Sequence, residues 1–455
     1  MMATYHPVAR RGCALGIAGL LSLAMPPVFA SGFALIEQSV SSMGTAYAQG
    51  SSGIDDASTI YFNPAGMTRL PGRNVTGGVH IVRSDVDFTG SNQTNPSNPL
   101  YNNPLSPLDG LGGIPDTEGA GSIDIGLTQP VPHFAYSHQY SERLWYGVSV
   151  NTPFGLKTDY PSNWVGRYHA DKSELLTMNI NPSVAFRVDE HASIGFGISA
   201  MYADAELTNW VDRGLFTGSP MTLANDLFGK VEGDDWGFGF NGGIILEPSP
   251  DTRLGFHYRS QVTVELEGDY TGPSGPGGGF APISVGASAE VSLPGTLSLS
   301  AFHEFNNQWA VMADVTWTEW SQLDSLVIVR SGEEPIISVF NWDDSFRYAV
   351  GTTYRHNATW LFRAGLAFDE TPIRSPELRT ARVPDEDRTW LALGANYRYS
   401  PDLSFDIGYA HLFVKDPKIN SPDSHTPSSF TGLHLLTGEY DAAVDMLSAQ
   451  VNWKF

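Results

Sequence analysis

Two-residue alternation of apolar and polar side chains dominates the chain from about residue 74 onward. Its clearest instance runs from Leu175 to Val188: Leu176, Met178, Ile180, Pro182, Val184, Phe186 and Val188 share one face, and Thr177, Asn179, Asn181, Ser183 and Arg187 the other. A period of two is the mark of a strand, whose successive side chains point to opposite faces. At about 3.3 Å per residue, a tilted strand of this length crosses a bilayer. The pattern returns in Ile194/Phe196/Ile198/Ala200/Tyr202, in Trp236/Phe238/Phe240/Ile244/Leu246, in Trp309/Val311/Ala313/Val315/Trp317 and in Leu403/Phe405/Ile407/Tyr409/His411/Phe413. It predicts 14 strands, at 74–88, 131–139, 143–152, 175–188, 192–206, 236–247, 253–267, 286–305, 308–329, 344–356, 359–369, 388–399, 402–413 and 440–455. Their connections alternate. Asp189-Glu190-His191, Pro248-Ser249-Pro250 and Ser400-Pro401 read as tight turns, whereas 90–125, 153–173, 207–235, 268–284 and 414–438 read as long loops. An even strand number with short and long connections in turn fits a transmembrane barrel with both termini in the periplasm.

A soluble sandwich alternates too, but its outer face carries Lys and Glu. Here the second face is Asn, Ser, Thr and Gly, which suits a lumen. The last segment points the same way. Leu447, Ala449, Val451, Trp453 and Phe455 share a face opposite Ser448, Gln450, Asn452 and Lys454, and the chain stops on the aromatic. Outer-membrane barrels commonly end so, and the barrel-assembly machinery reads that end, making Phe455 its expected contact. Composition agrees. Charged residues are 16% of the chain, against about a quarter in soluble domains, while Gly (47), Tyr (18) and Trp (11) are plentiful. The net charge of −23 with no basic run argues against nucleic acid. At the N-terminus, Arg10-Arg11, the apolar stretch Ala14 to Met25 and Val28-Phe29-Ala30 read as a cleaved signal peptide over 1–30. Cys13, the one cysteine, leaves with it, so no disulfide is expected. No later window holds 18 consecutive apolar residues, which excludes a helical membrane protein.

Residues 31–72 are not explained by a plain porin. Ile36, Val40, Met43 and Tyr47 have helical spacing among small residues, and Asn63-Pro64 is a sound helix start, Asn as N-cap and Pro at N1. Too polar for lipid, yet carrying Phe33, Leu35, Ile60, Tyr61 and Phe62, this segment is expected to fold inside the barrel as a hatch. Two long loops are unusually apolar: one with Phe154, Leu156, Tyr160, Trp164, Val165 and Tyr168, the other with Trp210, Val211, Leu215, Phe216 and Phe228. They read equally as an external landing groove and as a lid packed on itself.

At these residues the chain resembles the FadL-type family of outer-membrane transporters for long-chain fatty acids and hydrocarbons. Gly32-Phe33, Gly44-Thr45-Ala46-Tyr47, Asp55-Asp56-Ala57 and Asn63-Pro64-Ala65 are similar to the family's hatch. Thr152-Pro153-Phe154-Gly155 resembles its kinked third strand, and Trp317-Thr318-Glu319-Trp320-Ser321 a strand motif of the second half. The most specific stretch is Phe368-Asp369-Glu370-Thr371-Pro372 followed by Pro384-Asp385-Glu386-Asp387-Arg388-Thr389-Trp390-Leu391. The resemblance implies an all-β fold, a 14-stranded antiparallel transmembrane barrel (73–455) around an N-terminal helical hatch (31–72). It implies capture in an external apolar groove (Phe154, Leu156, Trp164, Trp210, Leu215, Phe216) and transfer to an inner pocket near Phe33. Lateral release follows past a gate formed by Asn63, Pro64, Ala65, Pro153 and Gly155. The family's basic side chains near the ligand carboxylate fall here on Asn209 and Ser338, which are uncharged. Arg259, Arg330 and Arg347 are the candidates to replace them, and without them a neutral aromatic hydrocarbon becomes the better substrate. Membrane lipid and lipopolysaccharide are the expected surroundings. No cofactor, metal ligand set or catalytic residue is expected: there is no G-x-S-x-G for a hydrolase, the 12 histidines are scattered, and Asp385-Glu386-Asp387 lacks a calcium loop's spacing. A general porin is disfavoured by the hatch and the greasy loops.

Overall fold

The computed structural model of the chain describes residues 32–114, 118–275, 278–423 and 432–455; the expected signal peptide lies outside them. Fourteen antiparallel strands close into a barrel. They are β1 (Arg73–Thr94), β2 (Ser122–Asp124 and Leu127–Gln139), β3 (Leu144–Asn151 and Gly155–Asp159), β4 (Lys172–Arg187), β5 (Ala192–Asp212), β6 (Asp226–Ser249) and β7 (Thr252–Arg259 and Val262–Pro273). There follow β8 (Pro282–Leu293 and Thr296–Glu304), β9 (Trp309–Thr318 and Ser325–Arg330), β10 (Ile336–Val339 and Ser345–Arg355), β11 (Trp360–Asp369), β12 (Arg388–Arg398), β13 (Leu403–Val414 and Lys418–Pro422) and β14 (His434–Lys454). Closure comes from β1 against β14, in register from Asn74↔Lys454 to Thr94↔His434. No edge is left at the seam, as lipid demands.

The alternation places side chains as the pattern predicts. On β4, Thr177, Asn179, Asn181 and Ser183 are buried in the lumen while Val184 and Phe186 face outward. Phe196, Phe238, Ile407 and Leu447 join the lipid-facing band. The tight turns lie at the end where Arg73 and Phe455 meet (Arg73 amide to Phe455 carbonyl, 3.2 Å). The expected loops prove shorter than the sequence pattern gives. β5 and β6 stay paired up to Asp212↔Asp226, so the segment 207–235 is mostly ladder with a loop at 213–225. Strands that rise above the bilayer keep their neighbours but lose the lipid-facing apolar period, which is why the pattern stops short of them.

Residues 32–72 fill the lumen, almost wholly buried. Helix here is scant: one turn at Val40–Met43, another at Thr59–Phe62, and a 3-10 stretch at Pro64–Arg69. The spacing that predicts helix through Tyr47 is cut because Ala46 and Tyr47 take left-handed backbone (φ 49° and 60°), reversing the chain. Asn63 does cap as expected, its side chain accepting from the Ala65 amide (3.0 Å). Its Nδ2 also donates to the carbonyls of Ser51 (2.7 Å), Ile244 and Phe256 (3.2 Å each), tying hatch to wall. The wall is bare there: a side chain on Gly255 would run into Ser51, and one on Gly195 into Ala65. Gln450 of β14 holds the other side, accepting from the Val40 amide (2.9 Å) and donating to Asp56 (3.0 Å).

Candidate functional site

Two cavities lie in series along the lumen, separated by the hatch's first residues. The outer one, of about 110 Å³, is lined by Leu156, Leu266, Val291, Leu326, Phe340 and Phe33, with Arg382 and Glu174 at its border. Its apolar walls come from strand breaks. β9 and β10 leave the barrel plane at 319–324 and 340–344, carrying Trp320, Leu323, Phe340 and Trp342 inward, where they pack with Phe33 and Phe154. Phe33 is the centre of this floor: its ring lies 4.8 Å from Trp320, 5.8 Å from Trp342 and 6.2 Å from Phe154. Each such ring pair adds about 0.5–1.5 kcal/mol beyond its burial. Gly32 makes the approach possible. Its backbone is left-handed (φ +62°), and a side chain there would collide with Trp320 and Trp342.

The paired motifs of the second half explain how the hatch's start is held. The Gly32 amide donates to Asp385 (3.0 Å), which also accepts from the Thr371 hydroxyl (2.7 Å) and pairs with Arg388 (2.9 Å). Burial pushes the Asp385 carboxyl up to about 6 despite the Arg388 charge. The neighbouring Asp387 accepts from the Thr371 amide (3.0 Å). Thus the two stretches that look most like a family signature build one clamp.

Below Phe33 lies the inner pocket, of about 100 Å³, lined by Leu35, Tyr61, Phe154, Asp314, Arg259 and Arg347. Arg259 is engaged: it donates to the Tyr61 carbonyl (2.7 Å) and Ser199 (3.2 Å) and lies 4.4 Å over the Tyr61 ring. Arg347 donates once, through Nη2 to the Ala46 carbonyl (2.8 Å), and stacks near Trp390 and Tyr47. Its Nε and Nη1 are buried with no hydrogen-bond partner among the described residues. Glu37 of the hatch is fully buried, and burial pushes its carboxyl up to about 7, with the Arg388 and Arg347 charges opposing in part.

The pocket meets the wall at β3. Between Asn151 and Gly155 the strand kinks, and the hatch pairs with the kink: Ala34 bridges Phe154, the Leu35 amide donates to the Pro153 carbonyl (2.7 Å), and the Gly155 amide donates to the Phe33 carbonyl (3.0 Å). β2 pairs with β3 only from Phe134↔Val150 to Gln139↔Trp145, so its stretch 127–133 has no β3 partner. Beneath the hatch, toward the tight-turn end, the cavities turn polar. One of about 360 Å³ is lined by Asp55, Asp56, Arg69, Arg398, Asp402 and Asn452.

Of the residues singled out in the sequence, Phe33, Phe154, Leu156, Arg259, Arg347 and Pro153 come together here. Asn63, Pro64 and Ala65 sit deeper, as hatch anchors. Arg330 lies elsewhere, donating to the Glu334 carbonyl and stacking on Tyr270. Trp164, Trp210, Leu215 and Phe216 line neither cavity. Trp164 is wholly buried and stacks on Tyr160 at 3.9 Å, Trp210 donates to Asp171, Leu215 packs with Tyr101 and Leu433, and Phe216 meets Phe280. These side chains form a roof, because apolar loop residues bury against one another rather than face water. Trp320, Leu323, Phe340, Trp342 and Gln38 were missed. The two tryptophans bracket a break that strand periodicity cannot distinguish from a continuing strand.

Against known proteins, residues 21–455 match the family described as outer membrane protein transport protein (OMPP1/FadL/TodX). The long-chain fatty acid transport protein of Escherichia coli O6:H1 is 29% identical over 91% of this chain and 94% of its own length. Outer membrane protein P1 of Haemophilus influenzae (strain KW20) is 28% identical over 96% and 98%. Among solved structures, a Pseudomonas aeruginosa FadL homologue superposes with a TM-score of 0.81 at 25% identity, covering 93% of this chain and all of its own. The Pseudomonas putida toluene transporter TodX shares the fold, with a TM-score of 0.67 at 14% identity over 94% of this chain and 100% of its own. With a 14-stranded barrel, a hatch in its lumen and a family match across nearly the whole sequence, the chain belongs to the outer membrane protein transport protein (OMPP1/FadL/TodX) family.

Proposed function

We propose that this protein takes up hydrophobic molecules through the outer membrane, with long-chain fatty acids as its principal substrate. The acyl chain enters the apolar outer cavity, passes the Phe33 floor as the hatch shifts, and reaches the inner pocket. The observation that carries the fatty-acid assignment is Arg347. A buried guanidinium whose Nε and Nη1 both lack a partner offers charged donors to a carboxylate, and leaving such donors unpaired is costly. Arg259 adds positive charge to the same pocket. Release is lateral. A lipid-like molecule leaving by the periplasmic end would cross the polar vestibule around Asp55, Asp56 and Arg398, whereas the unpaired stretch of β2 beside the kinked β3 opens toward lipid. The gate residues are Pro153 and Gly155 at the kink, moved by a hatch pivoting on Asn63, Pro64 and Ala65.

A neutral aromatic hydrocarbon is the second reading, favoured by the outer cavity's apolar walls and by the uncharged Asn209 and Ser338, and in keeping with the toluene transporters that share the fold. Binding of radiolabelled oleate to the purified barrel, with toluene as competitor, separates the two. Saturable oleate binding that toluene does not displace supports the fatty-acid reading; toluene binding without oleate binding overturns it. Two partner assignments belong to the same proposal. Phe455, half exposed at the end of β14, supports recognition by the barrel-assembly machinery. The outward ladder of Lys172 with Glu174 (2.7 Å) and Glu206 (2.9 Å), and of Lys230 with Glu206 (3.1 Å) and Glu232 (2.7 Å), supports contact with charged lipopolysaccharide headgroups.

A further inference from the structure

β2 carries two prolines in the middle of its ladder, Pro130 and Pro132, at a depth where neighbouring strands face lipid. Proline has no N–H, so in a sheet it belongs on an edge. The hydrogen bonds of β2 say which edge. The Ile125 amide donates to the Val86 carbonyl and the Gln139 amide to the Gly72 carbonyl, so odd-numbered residues of β2 face β1. The Tyr140 amide donates to the Leu144 carbonyl, so even-numbered residues face β3. The register runs unbroken from Asp124 to His138 against β1. The nitrogens of Pro130 and Pro132 therefore point at the unpaired side, into the gap.

Extending the β2–β3 register, in which Phe134 faces Val150, would set Pro132 opposite Thr152 and Pro130 opposite Phe154. Both of those residues are served by other groups. The Thr152 amide donates to Gln38 Oε1 (3.3 Å) and its carbonyl accepts from Gln38 Nε2 (2.7 Å), so a hatch side chain takes the place of a neighbouring strand. The Phe154 amide donates to the Thr177 hydroxyl (3.1 Å), which donates back to the Phe154 carbonyl (2.6 Å).

From this geometry, and resting on the lateral-release reading above, we infer that Pro130 and Pro132 are positioning residues that keep the wall open. They deny β3 the donors it would need to zip onto β2, and they spare the gap two amides that lipid could not satisfy. Gln38 is the removable half of the arrangement: it satisfies Thr152 while the hatch is docked and leaves with the hatch when substrate passes.

The test is the double variant Pro130→Val/Pro132→Val in the full-length barrel, with Pro130→Ala/Pro132→Ala as the milder pair should the first fail to give the heat-resistant folded form. Amide exchange over 128–134 and 150–155 is followed by mass spectrometry, and uptake of radiolabelled oleate is followed in cells lacking their own fatty-acid transporter. With the donors restored, exchange is expected to slow by about tenfold or more at these segments, and oleate uptake to fall by a similar factor. Gln38→Ala is expected to speed exchange at Thr152 in the parent but not in the double variant, whose β3 has a strand neighbour instead. Unchanged exchange in a folded variant overturns the inference, whatever uptake does. Slowed exchange with undiminished uptake upholds the prolines' role and overturns lateral release.

Discussion

Arg347 and Glu37 sit within one buried region yet make opposite demands. The arginine offers donors to a ligand, so Arg347→Ala is expected to weaken oleate binding by roughly 10- to 100-fold, the worth of a charged hydrogen bond, while leaving toluene binding unchanged. Competition binding with the two ligands checks both halves. Glu37 belongs to the hatch, and burial lifts its carboxyl from 4.5 to about 7. The docked hatch therefore favours the protonated acid. That contribution is complete below about pH 4.5 and is lost as pH rises through 7, amounting to roughly 3 kcal/mol at most. Protection of residues 33–62, the amide exchange rate relative to its intrinsic rate at each pH, is expected to fall between pH 5 and 8 in the parent and to stay level in Glu37→Gln. A parent profile flat over that range would remove Glu37 from the docking equilibrium. The sequence names Arg347 only as one of several candidates and says nothing of Glu37. Arg347 is one of three arginines that strand position alone could not rank, and the fate of Arg330 shows why: a residue's luminal face is legible, but its height relative to the hatch is not.

Among the elements, the hatch departs furthest from what its spacing implies. Isolated helical turns of four residues are not stable alone, and here they persist because wall and hatch exchange hydrogen bonds. Asn63 makes two of them, to Ile244 and Phe256, and two more within the hatch, to Ser51 and Ala65. Asn63→Ala removes the cap and the three bonds that Nδ2 donates. It is expected to cost the hatch about 1–3 kcal/mol, read as faster exchange over 57–69 with the strands unaffected. The N-cap role was legible because it is local; the bonds to Ile244 and Phe256 were not, because they join residues about 180–190 positions apart. The same division runs through the strands. The count of 14 followed from period-two alternation, whereas the inward breaks of β9 and β10 did not, since Trp320 and Trp342 are as apolar as any lipid-facing residue. Their burial is decided by Phe33, more than 280 residues away in the chain.

For the whole molecule, the lumen is packed rather than open, so the intact protein is expected to conduct ions poorly in planar bilayers. Deleting residues 33–70 should raise conductance by roughly tenfold or more if the hatch is the obstruction, given the width of a barrel of this strand number; an intact protein that conducts like a porin would refute that. Alternation alone determined the architecture, because lipid on one side and a polar lumen on the other impose a chemical choice at every second residue. It determined the closed barrel, the even strand number, the sidedness of the turns and the presence of a segment with nowhere to go but inside. Only the tertiary structure decided which loop residues form a roof, which arginine keeps unengaged donors, and where β2 loses its partner. Those depend on contacts between segments far apart in the chain, and a periodic pattern carries no record of which distant segment fills a given face. The prolines of β2 stand between the two cases. Their positions are plain in the sequence, Pro132 inside the predicted strand 131–139 and Pro130 just before it, but the side to which their missing donors point is set by the register of the closed sheet.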